Sequence, residues 1–412
     1  MVLQAEAKNN VWGWADPQEK VTVTFAEKTA QTEAGPEGKW SVRLPDLKAG
    51  TTGDLTVTGT NAIVVKNVVV GEVWIASGQS NMEFSVSDAM NREAEIASAN
   101  YPLIRSFNLK RAAKKEPQED CVGKWEVCSP QTVGGFSAVG YFFARHLHET
   151  LQQPVGVIHT SWGGTPAEFW TPTPLIESDP DFQHIAKKWQ KIVDDYPKAK
   201  EAYDKAMQDW KTGVETAKAD GTAAPKQPNA PRGGDAFGAP GCLYNGMIAP
   251  VLPYTIQGAI WYQGESNASA AKLYQKLFPS MILSWRRAWM RGGLEGSEMP
   301  DFPFLFVQLA NFKARSEQPT ESEWAALREA QLMTLEMPHT GMAVAIDVGD
   351  ADDIHPKNKQ EVGRRLALCA GATVYYRDQE FSGPIFSGAQ TEDGKIRLSF
   401  RNAEGMKAKD GG

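Results

Sequence analysis

Five short apolar runs, most of them separated by long segments, constrain the fold of this 412-residue chain more than any other feature. They are Val73-Trp-Ile-Ala76, Val155-Gly-Val-Ile158, Ile256-Gln-Gly-Ala-Ile-Trp261, Phe304-Leu-Phe-Val307 and Met342-Ala-Val-Ala-Ile346. Runs this short and this continuous suit strands buried on both faces. Helical periodicity lies between or after them. Ala138 to His148 predicts one helix. Leu273 to Trp289 predicts a second, with Leu277, Met281, Ile282 and Trp285 on one face, and Val362, Leu366 and Cys369 mark a third. Strands alternating with helices predict an α/β domain, a parallel sheet with helices on both faces. In such sheets chemistry gathers at the carboxyl ends of the strands.

Three other stretches break this rhythm. From about residue 11 to 70 the chain alternates, as in Val21-Thr-Val-Thr-Phe25, Trp40-Ser-Val-Arg-Leu44, Leu55-Thr-Val-Thr58 and Ile63-Val-Val65, with Gly- and Pro-containing turns between. A small β-sandwich domain over 1–70 is the economical reading. It precedes the α/β domain at 71–380. Inside that domain, 177–241 reads as an insertion. Ile185, Trp189, Ile192, Val193 and Tyr196 predict one amphipathic helix. After Pro197, Tyr203, Met207, Trp210 and Val214 predict another, making a hairpin. An Ala-, Pro- and Gly-rich loop follows to Gly241. From Phe381 a strand pattern returns, notably Lys395-Ile-Arg-Leu-Ser-Phe400, so 381–412 is expected to be a β-rich segment of an incomplete unit.

A net charge of -7 with no long basic run argues against nucleic acid or an anionic membrane surface as the main partner. No apolar stretch approaches a membrane span. The start, Met1-Val-Leu-Gln-Ala-Glu-Ala, has neither the basic region nor the apolar run of a signal peptide. Cys121 and Cys128 can pair if the protein is exported; otherwise they and Cys242 and Cys369 are free thiols. No zinc or nucleotide motif occurs, and no cofactor is implied. Thirteen Trp residues hint at sugar faces, although most Trp side chains are core.

Four polar motifs follow the expected strand ends. In Ala76-Ser-Gly-Gln-Ser-Asn-Met82, a glycine permits a tight turn that exposes the Ser80 hydroxyl, and the serine amide can help bind an oxyanion. In Asp350-Ala-Asp-Asp-Ile-His-Pro356, His355 can act as a base. Asp352, at D-x-x-H spacing, and Asp353 compete to orient it. His159, at another strand end, is the rival histidine. In Ser161-Trp-Gly-Gly-Thr-Pro166, Gly163 or Gly164 can donate a backbone amide to an oxyanion. In Trp261-Tyr-Gln-Gly-Glu-Ser-Asn267, Gln263 and Asn267 carry amide donors. Glu265 either orients neighbours or is itself the acid of a glycoside hydrolase. Phe84, Trp162, Trp170, Trp261 and Tyr262 are candidate aromatic walls for a sugar, some of which must instead be core.

Taken together and in this order, Ser77-Gly-Gln-Ser-Asn-Met82, Ser161-Trp-Gly-Gly-Thr-Pro166, Trp261-Tyr-Gln-Gly-Glu-Ser-Asn267 and Asp353-Ile-His-Pro356 resemble the sialate O-acetylesterase family of the SGNH hydrolases. The resemblance covers nearly the whole chain, including Trp12-Gly-Trp14. It implies a flavodoxin-like sheet, a Ser80 nucleophile and a His355 base. It also implies an oxyanion hole from Ser80, Gly164 and the Gln263 to Asn267 segment, and an acetylated glycan as substrate. The first block here is Gly-Gln-Ser where the wider superfamily has Gly-Asp-Ser. The third has Ser266 where the superfamily has Asn. Export, with the leader absent, is likewise implied only by resemblance. A non-catalytic glycan-binding protein is the other alternative.

Overall fold

The computed structural model describes residues 1–292 and 302–407. The described chain forms two compact units, one of Met1–Lys110, Val122–Pro166 and Leu252–Gly412, the other of Arg111–Cys121 and Ala167–Val251.

The larger unit begins with β1 (Val2–Gln4), β2 (Asn9–Trp14), β3 (Lys20–Phe25), β4 (Lys28–Glu33), β5 (Lys39–Leu44), β6 (Thr52–Thr58) and β7 (Ala62–Gly78). The alternation of β3, with Val21, Val23 and Phe25 inward, is the period-2 pattern of a half-buried strand. β3 pairs antiparallel with β4 and β6, and β6 pairs with the first part of β7. β2 and β5 form a separate antiparallel pair. Both groups line one core, in which Phe25, Leu55 and Val68 meet Trp40, Val42 and Leu44.

β7 then changes character. Its first residues are exposed, whereas Val68 to Gly78 are buried without a break. The second part is the centre of a parallel sheet. With α1 (Ser80–Glu83), α2 (Arg92–Ser98), β8 (Ile104–Leu109), β9 (Gly123–Val127), α3 (Ala138–Leu151) and β10 (Val155–Ser161), the chain builds one side. Later, β11 (Gly258–Tyr262), β12 (Phe304–Val307) and β13 (Thr340–Ala343) build the other. The strand order is β13-β12-β11-β7-β10-β8-β9, and only β9 runs antiparallel to its neighbour. The expected boundary between residues 70 and 71 falls inside β7, which belongs to both sheets.

The five apolar runs are thus β7, β10, β11, β12 and β13. β8 escapes the sequence pattern because Arg105, Ser106 and Asn108 interrupt it. Arg105 is nevertheless buried, with its guanidinium donating to Met1 O and to Asn67 Oδ1. All four cysteines are free, so Cys121 and Cys128 do not pair.

The smaller unit corrects an expectation. After α4 (Thr173–Ser178), the predicted helical hairpin is one 38-residue helix, α5 (Gln183–Asp220), which continues through Pro197. Proline removes only one backbone bond in so long a helix. The apolar stripe finds its cover elsewhere. The segment after Gly221 returns along the helix, with the Trp210 indole donating to Pro225 O at 2.8 Å, Gly234 against Tyr196 and Gly238 against Trp189. A Gly- and Pro-rich strip takes the place of the second helix.

The larger unit continues with α6 (Ala271–Gly292), α7 (Glu323–Met333) and α8 (Lys359–Thr373), the first and last at the positions predicted. α8 is capped by Asn358, whose Oδ1 accepts from the Glu361 amide at 3.2 Å. β14 (Ile385–Glu392) and β15 (Lys395–Arg401) form an antiparallel hairpin, the returning strand pattern of the C-terminal segment. Residues 408–412 of that segment lie outside the described residues. Among the described residues no helix is long and apolar enough to cross a membrane.

Candidate active site

β7, β10 and β11 are in register to their last residues, so that Gly78 lies between Ser161 and Tyr262. The polar motifs follow directly, at the carboxyl end of the sheet. Gly78 has φ of +137°, and a Cβ there would stand 2.1 Å from the Tyr262 carbonyl oxygen. Only glycine fits. The turn puts Gln79 before α1 and Ser80 at its first residue. Gln79 is buried and ties two motifs together. Its amide donates to Tyr262 O at 3.0 Å, and its Oε1 accepts from the Gly264 and Ser266 amides at 3.4 and 3.2 Å. A glutamine in the first block therefore spans to the third.

Ser80 Oγ lies 2.8 Å from His355 Nε2. On the other side of the ring, Nδ1 is 3.6 Å from Asp353 Oδ1, and the same oxygen accepts from the His355 amide at 2.9 Å. Asp353 thus meets the imidazole. Asp352 is exposed, and among the described residues its carboxylate has no hydrogen bond or ion pair. The D-x-x-H spacing does not become a contact because this stretch is a bend rather than a helical turn. Phe84 stacks on His355 at 6.3 Å. Burial, then the charge of Lys359, holds the imidazole below the usual histidine range, against an opposing pull from Asp353. His159 is engaged elsewhere, with Ser161 Oγ at 2.5 Å and Asn108 Oδ1 at 3.3 Å.

The two glycines differ. The Gly163 amide donates to Glu83 Oε2 at 2.8 Å, so it is already used. Gly164 has φ of +70° with open space beside its Cα. In the third motif, Gln263 is fully buried. Its Nε2 donates to Asn267 Oδ1 at 2.7 Å and Thr165 O at 3.3 Å, and its Oε1 accepts from the Tyr274 hydroxyl at 3.1 Å. Both amide hydrogens are committed, which removes Gln263 as an oxyanion donor in this geometry. The same bond turns the Asn267 oxygen toward Gln263.

Glu265 faces inward. Its Oε1 accepts from Asn81 Nδ2 at 2.6 Å, Oε2 is buried, and burial pushes its carboxyl up. Of the expected aromatic walls, Trp170, Trp261 and Tyr262 are fully buried and offer no face to a ligand. Trp162 and Phe84 are half-buried. Sequence reading passed over Asn81, which lay inside a quoted motif, and Lys359, which no motif marks.

A hydroxyl on a tight strand-to-helix turn, an imidazole on it and a carboxylate behind the imidazole form a set suited to acyl transfer to a serine. Known carbohydrate esterases resemble this chain. The family model described as carbohydrate esterase, sialic acid-specific acetylesterase, matches residues 232–370. The sialate O-acetylesterase of Rattus norvegicus is 31% identical over 93% of this chain and 74% of its own length. That of Homo sapiens is 31% identical over 93% and 71%. A solved structure of a carbohydrate acetylesterase from Xanthomonas citri superposes with a TM-score of 0.77 at 35% identity, covering 97% of this chain and 79% of that one. The chain belongs to the sialate O-acetylesterase family.

Proposed function

We propose that this carbohydrate O-acetylesterase works through an acetyl-serine intermediate on Ser80. The observation that carries the reading is the 2.8 Å approach of Ser80 Oγ to His355 Nε2 at the carboxyl end of β7. His355 accepts the Ser80 proton as Oγ attacks the acetyl carbonyl carbon. The amides of Ser80 and Gly164, with the Asn267 side chain, hold the oxyanion. The tetrahedral adduct collapses, the sugar hydroxyl leaves with the proton from His355, and acetate is released when water attacks the acyl-serine. Asp353 orients the ring. An imidazole held below its ordinary range is unprotonated near neutral pH, as a base must be.

The parallel order of six strands around β7 supports an SGNH-type, flavodoxin-like arrangement within the α/β part of the chain. The division into 1–70, 71–380 with its insertion, and 381–412 describes the succession of β, α/β and β-rich parts. The substrate is an O-acetylated glycan, sialic acid or an acetylated plant or algal polysaccharide, and the protein acts outside the cell. Glu265 faces Asn81 inside the protein, which disfavours the glycoside hydrolase reading.

The test is acetate release from 9-O-acetyl sialic acid, acetylated xylan and a small activated acetate ester, by wild type and Ser80→Ala. Wild type is expected to release acetate from at least one sugar. Ser80→Ala is expected to lose roughly 10⁴-fold or more in kcat. A folded Ser80→Ala protein of undiminished activity would overturn the nucleophile.

A further inference from the structure

One buried charge beside the site has no part in the mechanism above. Lys359 is fully buried. It is the first residue of α8, and the N-terminus of a helix disfavours a cation. An ammonium without water there is costly unless its surroundings compensate. They do. Nζ donates to Asn81 Oδ1. It also stands 4.7 Å from the ring centre of Phe84 and 5.4 Å from that of Tyr262.

Asn81 carries the interaction onward. Its Nδ2 donates to Glu265 Oε1 at 2.6 Å and to the Ile354 carbonyl at 3.1 Å. Asn81 follows Ser80 in the chain, Ile354 precedes His355, and Glu265 lies in the segment after β11. One ammonium, through one amide, therefore joins the three loops that carry the site. The contact of His355 Nδ1 with Asp353 is by contrast 3.6 Å long and partly exposed.

We propose that Lys359 is a positioning residue for the acyl transfer, fixing the Ser80 turn against the His355 loop through Asn81 and acting on the imidazole by its charge. The inference rests on the Ser80–His355 reading above. Several groups face Lys359: Glu265 from the segment after β11, Asp353 and His355 from the stretch before α8, the Tyr262 phenol from β11 and the uncharged ring of Phe84. Burial brings Lys359 down to about 7, while Glu265 and Asp353 act to raise it. The lysine in turn lowers His355, second only to burial. A cation beside the base disfavours imidazolium and keeps the ring ready to accept the Ser80 proton.

The test uses the full chain and two variants. Lys359→Met removes both charge and tether. Its kcat is expected to fall on the order of 10–10²-fold with KM little changed, because the loss is one of alignment. The acidic limb of kcat/KM against pH is expected to move to higher pH, because imidazolium is no longer opposed. Lys359→Gln keeps a donor for Asn81 but no charge. It is expected to show the same shift of the limb with a smaller fall in kcat, and it carries the test if Lys359→Met does not fold. A folded variant of either kind with the acidic limb where wild type has it would overturn the proposal. Ser80→Ala separates the two levels. If that variant keeps its activity, the reading underneath fails. If it is inactive while the Lys359 variants keep the wild-type pH profile, only the role of Lys359 fails.

Discussion

The serine and the histidine of this site are held in different ways. Ser80 follows a strand paired on both sides, and its turn is fixed by backbone. Gln79 N meets Tyr262 O, Trp162 N meets Gly78 O at 3.1 Å, and Gly78 has no room for a side chain. His355 sits in a loop. Its neighbours Asp352 and Asp353 reach solvent, and its links to the serine side include the Ser80 bond, the stack on Phe84 and the Asn81 bond to Ile354. Ser80 is set by the sheet, whereas His355 is set by a few side chains. Damage on the serine side should therefore cost folding and activity together. Damage on the histidine side should change rate and pH behaviour and leave the fold.

Gly78→Ala puts the sharpest strain on that contrast. Its Cβ would meet the backbone of β11, which cannot move without the sheet, and the φ is one that L-residues avoid. A loss of about 2–4 kcal/mol is expected in denaturant unfolding, with activity falling alongside. Unchanged stability would mean that the sheet does not fix the serine turn.

On the histidine side, Asp353→Asn is expected to lower kcat/KM for acetate release by about 10–10²-fold. This is less than for a buried triad carboxylate, because the contact is long and partly exposed. Asp352→Asn should stay within about twofold. A larger effect from Asp352 than from Asp353 would reverse the assignment.

The smallest effect expected is on stability. Lys359 is lower in the folded protein than its ordinary value of 10.5. The unfolded chain therefore binds more protons between about 7 and 10.5, and stability gains a rising contribution with pH across that window. Denaturant unfolding of wild type relative to Lys359→Met should show this rise. A flat difference would mean that the ammonium is not strained by burial.

Much of the site was legible because its motifs are local. Ser80, Gly164 and His355 each follow an apolar strand, and an exposed polar motif after such a run has few other uses. What stayed hidden depends on contacts across the fold. Asp352 and Asp353 are separated only by how a bend turns. Gly163 and Gly164 differ only because Glu83 takes one amide. Gln263 was expected to donate into the site, but Tyr274, Thr165 and Asn267 consume its hydrogen bonds. Lys359 has no motif, since a lysine at a helix start reads as surface until burial is seen. The helix through Pro197 is not legible because proline usually marks a stop, and the covering strip has no periodicity to reveal it.

β7 spans seventeen residues in two parts, joined at a bulge where Asn67 has φ of +55° and the pairing with β6 shifts register. At about 3.3 Å per residue the part beyond the bulge, Val68 to Gly78, is roughly 36 Å long. Its near end is paired with β6 and β1, its far end with β10 and β11, and Ser80 stands just beyond its tip. The N-terminal β structure thus backs the strand that leads to Ser80, rather than being an appendage. A chain begun at residue 71 would lose β1 and the first nine residues of β7, leaving the strand under Ser80 without its anchorage.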